Sequence, residues 1–370
     1  MKIKTSKYLR LIEKLCYVVF YVLVFVFVMK TFFISIYQIP SESMWPTIQP
    51  GDWICVDKIG FGGTKHLFGR EFSLPKYRTV KRGDVMVFHF PEGDTVFLDN
   101  PQLNYYETLE LKKRNEDSNF TYINCNKKVS LPLSYQIPYV KRCVGLPGEV
   151  IQTIDYKLYI NGKALGENRE EKKLCNVYYQ DKMAVFKLKT TFRFCWNPSE
   201  DCSVFSLTNQ EQKLFKLSEN IDSVRIRKKH RCCIYYFPKE LDKEKDWDAI
   251  NYGPIEIPKK GKRLSINTGN IAAYKRLIET YEGNSLAVKQ DSIKINGITT
   301  DYYVPKQNYY FMMGDYRTNS IDSRNWGFVP EDHLIGRAFA VGWSREPGQY
   351  AWEGIRWARV GNSLTGNQSE

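Results

Sequence analysis

The chain is 370 residues long with 43% hydrophobic and 15% aromatic content, enough apolar mass for one or two domains with cores and too much for a disordered tail. Lys plus Arg number 54 against 41 acidic residues, a net +13, but the excess is uneven: Lys2, Lys4, Lys7, Arg10 and Lys14 stand against Glu13 alone at the start. From Gln38 onward, with 48 basic and 40 acidic residues, the body is only mildly basic, and basic and aromatic residues are not interleaved as in RNA-binding surfaces, so nucleic acid is not an expected partner.

After this basic tail (residues 1–14) comes LCYVVFYVLVFVFVM, Leu15 to Met29, uncharged and almost wholly apolar. That run spans about 22 Å as a helix, and the flanking residues Leu11 to Lys14 and Lys30, whose charged ends can snorkel, extend it to about 30 Å. A cleaved secretory signal would need a small-x-small exit, whereas TFFISIYQIPSES follows. The expectation is an uncleaved membrane anchor with its interfacial exit over 15–37, the tail inside and everything after Tyr37 outside. Eight of nine cysteines then face an oxidising compartment; Cys195 with Cys202 is the first pair to consider, although spacing does not fix connectivity. His230 before Cys232 and Cys233 raises a metal site, but no CxxC or second histidine cluster supports it, so no metal is expected.

Beyond the anchor the chain reads as mostly β and antiparallel. Gly51-Asp52 and Gly83-Asp84 lead into WICV and VMVFHF, which look like strand entries. Asn161-Gly162 and Asn296-Gly297 are hairpin signals. One helix is legible from about Gly269 to Glu282, with Ile271, Tyr274, Leu277, Ile278 and Tyr281 on one face and Gly283 as its stop. These signs predict a main β domain from 38–149 and 300–345 with a polar insertion at 99–134, a second inserted β-rich domain at 150–299, and a C-terminal tail at 346–370.

There is no GxSxG elbow, HExxH or Gly-rich phosphate loop, and only four histidines, so Ser-His-Asp, zinc-protease and nucleotide chemistry have no support. QIPSESMWPTIQPGD, Gln38 to Asp52, instead brackets Ser41 and Ser43 between Pro40 and Pro46. Such a stretch should be a stiff, extended loop presenting hydroxyls, although these serines could equally bond local backbone. A serine nucleophile without histidine needs another base, and a desolvated lysine can serve. In YVKRCVGLPGE, Tyr139 to Glu149, alternation places Tyr139, Lys141 and Cys143 on one face, with Arg142 on the other and unable to deprotonate; Lys141 could also be an edge-strand lysine in water. The third cluster, Tyr310 to Phe339, packs Asp315, Arg317, Ser320, Asp322, Ser323 and Arg324 between apolar runs, as a support network for a buried lysine would, and as any polar loop with ion pairs would.

Together and in this order, the stretches resemble the type I signal peptidases (leader peptidases), membrane-anchored Ser-Lys endoproteases. IPSESMWPT resembles that family's nucleophile motif, RGDVMVF (Arg82 to Phe88) its next strand motif, YVKRCVGLPGE its base motif and GDYRTNSIDSR (Gly314 to Arg324) its final motif. The resemblance implies Ser43 as nucleophile and Lys141 as general base. It further implies Ser41 in the oxyanion hole, Ser320 orienting Lys141, and Asp322 and Arg324 as structural support. Ile39, Pro40, Met44, Ile48, Tyr139 and Val140 would line the pocket for small side chains before the cut, and no metal or organic cofactor is required. The implied partners are preproteins bearing signal peptides, the lipid bilayer and the secretion machinery; the implied location is the cytoplasmic (inner) membrane, single-pass, N-terminus inside. The sequence departs from the family pattern at Glu42, Cys143, Tyr316 and Thr318. Two rival readings are another membrane-bound Ser-Lys protease, self-cleaving or pilin-maturing, and a non-enzymatic membrane-tethered assembly factor.

Overall fold

The computed structural model describes residues 2–61, 64–67, 70–73, 76–97, 127–166, 172–218, 220–231, 235–289, 292–349 and 352–365. The expected insertion at 99–134 lies outside them except for 127–134, as do Cys232 and Cys233.

Helix α1, Lys2–Val28, runs on into a π-helical turn at Met29–Phe33. Its stretch Arg10–Phe33 is 24 residues with a mean hydropathy of 2.3 and no burial, long and apolar enough to cross a membrane. No other described element packs along it, so its apolar side chains have no protein core to enter. Its end is fastened to the body: the buried Lys58 side chain donates to the carbonyls of Lys30 at 2.5 Å and Thr31 at 2.9 Å, meeting orphan acceptors of the last turn.

The strands of the main sheet, labelled in chain order, are β1 Ile34–Gln38, β2 Asp52–Asp57, β3 Val85–His89, β4 Pro138–Gly145, β5 Tyr309–Met313, β6 Val329–Pro330 and β7 Leu334–Ser344. Their spatial order is β1-β2-β7-β3-β4-β5-β6 and every pairing is antiparallel. VMVFH is apolar throughout because β3 is central and buried on both faces: Val85 and Val87 enter one core cluster, Met86 and Phe88 another. The same division orders β4, where Tyr139 and Cys143 join the second cluster and Val140 the first. Residues up to Leu364 also belong to this body, since Ser363 bridges Ala340 and Leu364 enters the cluster holding Ile39 and Met44.

Both Asn-Gly hairpins are present, with Asn161 and Gly162 at φ 51° and 78° and Asn296 and Gly297 at 51° and 81°, the left-handed pair such two-residue turns require. The legible helix forms as Ile271–Arg276 with a π-helical continuation Leu277–Tyr281. Between 150 and 299 lie two four-stranded sheets, one from 150–154, 157–160, 163–164 and 252–256, the other from 173–179, 194–199, 202–207 and 221–226. The first shares its core with the main sheet, Ile151 and Tyr252 packing in one cluster with Val144 and Phe311. The second closes a core of its own around Val177, Phe205 and Phe215. Cys195 and Cys202 are unpaired, correcting the pairing first considered: the hairpin sets Ser199 opposite Cys202, leaving Cys195 further along the ladder, beside Tyr316.

Candidate active site

The segment carrying Ser41 and Ser43 leaves β1 and returns as β2. It turns rather than running extended: Trp45 N donates to Glu42 O and Ile48 N to Met44 O, both at 2.9 Å. The four-residue spacing explains the turn, because it sinks Met44 and Ile48 together into one core cluster and so fixes the backbone between them. Ser43 Oγ lies 3.4 Å from Ser41 Oγ. The returning end is locked by Asp52, fully buried, which accepts from Gln49 N at 2.8 Å, Ser344 Oγ at 2.6 Å and Arg359 at 2.6 Å. Burial pushes the Asp52 carboxyl upward, but the bonds from Arg359, Ser344 and Gln49 outweigh it and hold the group below the usual carboxylate range.

β4 brings Lys141 to this loop. Its side chain is 4% exposed and its Nζ is 2.6 Å from Ser43 Oγ, on the same side as Tyr139, whose ring centroid is 5.7 Å from Nζ. Burial lowers the Lys141 pKa to about 8, against the opposing pull of Asp322 and Asp315. Asp315 is itself engaged by the neighbour of Lys141. Arg142 Nε and Nη2 grip its carboxylate at 2.7 and 2.6 Å, while Nη1 donates to Gly83 O at 2.6 Å. The adjacent cations of β4 thus have different surroundings, one paired and one desolvated beside a hydroxyl.

The third cluster closes over the other two. Asp322 caps the short helix α2, Ser323–Trp326, and accepts from Gly314 N at 3.0 Å and from Arg324 Nε and Nη2 at 2.9 and 2.8 Å. Burial raises the Asp322 pKa, yet Arg324 overrides it and keeps the carboxylate ionised. Arg324 also donates to Ala249 O and Arg317 O, both at 2.6 Å. Tyr316 N donates to Ser43 O at 3.1 Å. A Cβ at Gly314 would lie 2.2 Å from Ser320 Oγ and 2.4 Å from Ser43 O, so only glycine lets these backbones meet. Ser320 is buried and its hydroxyl faces Asp322, favouring the ionised carboxylate, rather than bonding Lys141.

The expected pocket residues do not share one environment. Ile39, Met44 and Ile48 are buried in one cluster with Val140 at its edge, Pro40 is exposed, and Tyr139 stacks on Phe90 at 4.6 Å across the sheet. Sequence reasoning missed the Arg142–Asp315 fork, the hold of Arg356 and Arg359 on Asp52, and Arg193, which pairs with Glu42. Such pairings join residues far apart in the chain and leave no local pattern.

A family model described as "Signal peptidase, peptidase S26" matches residues 12–223 and 252–343. Among curated proteins, the chain is 28% identical to signal peptidase I of Buchnera aphidicola subsp. Schizaphis graminum over 349 residues, 91% of this chain and 77% of that one. It is 25% identical to signal peptidase I of Haemophilus influenzae over 346 residues, 92% and 72% of the two chains. Identity to signal peptidase I of Pseudomonas fluorescens is 31% over 333 residues, 87% and 69%.

Proposed function

The chain belongs to the signal peptidase family, peptidase S26, a serine endopeptidase therefore, and on that premise we propose that it removes signal peptides from exported preproteins with a Ser43–Lys141 dyad, cutting after small side chains. The observation that supports this most directly is the 2.6 Å approach of Lys141 Nζ to Ser43 Oγ within a site that shields the amine from water. Neutral Lys141 takes the Ser43 proton as Oγ attacks the scissile carbonyl. The oxyanion is met by the Ser43 N–H and the Ser41 hydroxyl. Lys141 then passes its proton to the leaving amine, and water releases the acyl group. Asp322 and Arg324 hold the final loop, Ser320 orients Lys141 once substrate is bound, a bond not made in the free chain, and Ile39, Pro40, Met44, Ile48, Tyr139 and Val140 form the walls beside the substrate backbone.

In this reading residues 38–149 and 300–345 carry the catalysis, 150–299 are an insertion whose first sheet shares their core, and 346–370 a closing tail. The α1 anchor fits a membrane-anchored enzyme, and we take its basic tail to be cytoplasmic and the catalytic body to stand outside the cytoplasmic membrane. The secretion machinery is a fitting partner because it delivers substrates there. The test is cleavage of a preprotein by purified full-length protein. Ser43→Ala and Lys141→Arg should each abolish turnover while remaining folded, since one removes the nucleophile and the other substitutes a base that stays protonated. Near-normal turnover in either variant would dispose of the dyad.

A further inference from the structure

We propose that Arg193 is a positioning residue for the nucleophile, acting through Glu42 and Tyr316; the inference rests on the dyad reading. Arg193 enters the site from the sheet that closes a core of its own, held there by its carbonyl, which accepts from Ser206 N at 2.9 Å. Its guanidinium pairs with the carboxylate of Glu42, the residue immediately before Ser43. The same guanidinium lies 5.8 Å from the centroid of the Tyr316 ring, a cation over an aromatic face. Tyr316 in turn holds Ser43 O through its backbone N–H at 3.1 Å and packs its ring 6.1 Å from that of Trp45. Lys172, from the same sheet region, covers Trp45 at 4.5 Å.

The residue before Ser43, the residue two beyond it and the group holding its carbonyl are therefore all gripped from one side. Glu42 and Tyr316 are two of the departures from the family pattern, and both are met by one arginine. A nucleophile must be held within about 0.5 Å of its productive position relative to its base to react well. Arg193 is placed to set the Ser43 backbone while touching neither the dyad nor the scissile bond, so its loss should fall on kcat rather than on KM.

The experiment measures kcat and KM on a preprotein with full-length enzyme in detergent. Arg193→Ala and Glu42→Ala should each lower kcat about tenfold with KM within about twofold, and the double variant should be no slower than either single one. Exchanging the charges, Glu42→Arg with Arg193→Glu, should recover most of that loss, as should Arg193→Lys in part. Melting temperatures identify any variant that has merely lost its fold, and Glu42→Gln, which changes charge with almost no change of shape, then carries the comparison. Wild-type kcat in Arg193→Ala or Glu42→Gln, a loss confined to KM, or single losses that multiply in the double variant would each overturn the assignment. Full activity of Ser43→Ala, run alongside, would instead refute the dyad.

Discussion

Lys141 must shed its proton to act as a base, and its surroundings make that possible near neutrality. With its pKa lowered to about 8 by burial, about a tenth of the side chains are neutral one pH unit below that value. Rates of preprotein cleavage under kcat/KM conditions should thus rise about tenfold per pH unit up to about 7 and level off beyond about pH 9. A profile flat between pH 6 and 9 would mean that a different group sets the rate. The same shift has a cost in stability, and its sign is fixed. The unfolded lysine titrates near 10.5 and the folded one near 8, so between these values the unfolded chain binds more protons and stability rises with pH. Below about pH 8 the buried ammonium costs about 3 kcal/mol relative to alkaline solution. Lys141→Met should therefore be inactive yet melt higher than the parent protein at pH 7; an equal or lower melting temperature would show that the ammonium is better accommodated than its burial indicates. That Ser43 and Lys141 come together was legible in the sequence because motif order ties the two stretches together. Arg193 and Arg359 were not, because each meets its partner only after the chain has folded across more than a hundred residues.

At the scale of elements, the stretch from Gly314 to Trp326 is organised around one carboxylate. Asp322 is at once the N-cap of α2, the acceptor for Gly314 N and the counter-charge to Arg324, and both charged side chains are 1% exposed or less. Truncating one partner of such a pair leaves the other buried and uncompensated. Asp322→Ala should lose about 3–5 kcal/mol of stability in urea unfolding, well beyond a surface substitution. A loss under about 1 kcal/mol would mean that Arg324 is held by its carbonyl acceptors alone. The sequence announced the apolar strands, the Asn-Gly hairpins and the 271–281 helix, since each has a local signal: a fully apolar run, a turn dipeptide, a 3.6-residue period. It misjudged the loop carrying Ser41 and Ser43. Prolines argued for an extended chain, but the burial of Met44 and Ile48 on one side demanded a turn, and tertiary packing outweighed the local preference.

For the molecule as a whole, the proposed function makes the distance from the anchor to Ser43 the quantity that matters. Ser43 lies only six residues after Tyr37, a reach of at most about 20 Å, and the folded chain uses less than this. β1 follows the anchor directly, pairs along its whole length with β2, and continues the bonding pattern through Ile39 N to Asp52 O at 2.8 Å. Lys58 clamps the end of the anchor to the same sheet, so the helix and the site share one frame. The tryptophans near the exit and toward the C-terminus divide accordingly. Trp352 and Trp357 are 82% and 66% exposed and suit headgroups, with Trp357 packed edge-on against Trp343, which lies opposite Trp53 in the sheet. Trp45 is instead engaged by Tyr316 and Lys172. A preprotein still embedded through its own apolar segment would present its cleavage site at the depth where Ser43 is held, which raises effective concentration without any new contact. Removing residues 1–37 should then leave cleavage of a short soluble peptide within about threefold while lowering that of vesicle-embedded preprotein by about a hundredfold, at matched total enzyme. Trp352→Ser with Trp357→Ser in the truncated enzyme should lower the vesicle rate further, as expected if those exposed rings rest on headgroups. Equal vesicle rates for full-length and truncated enzyme would show that placement at the membrane contributes nothing, and that the short path from anchor to Ser43 serves folding alone.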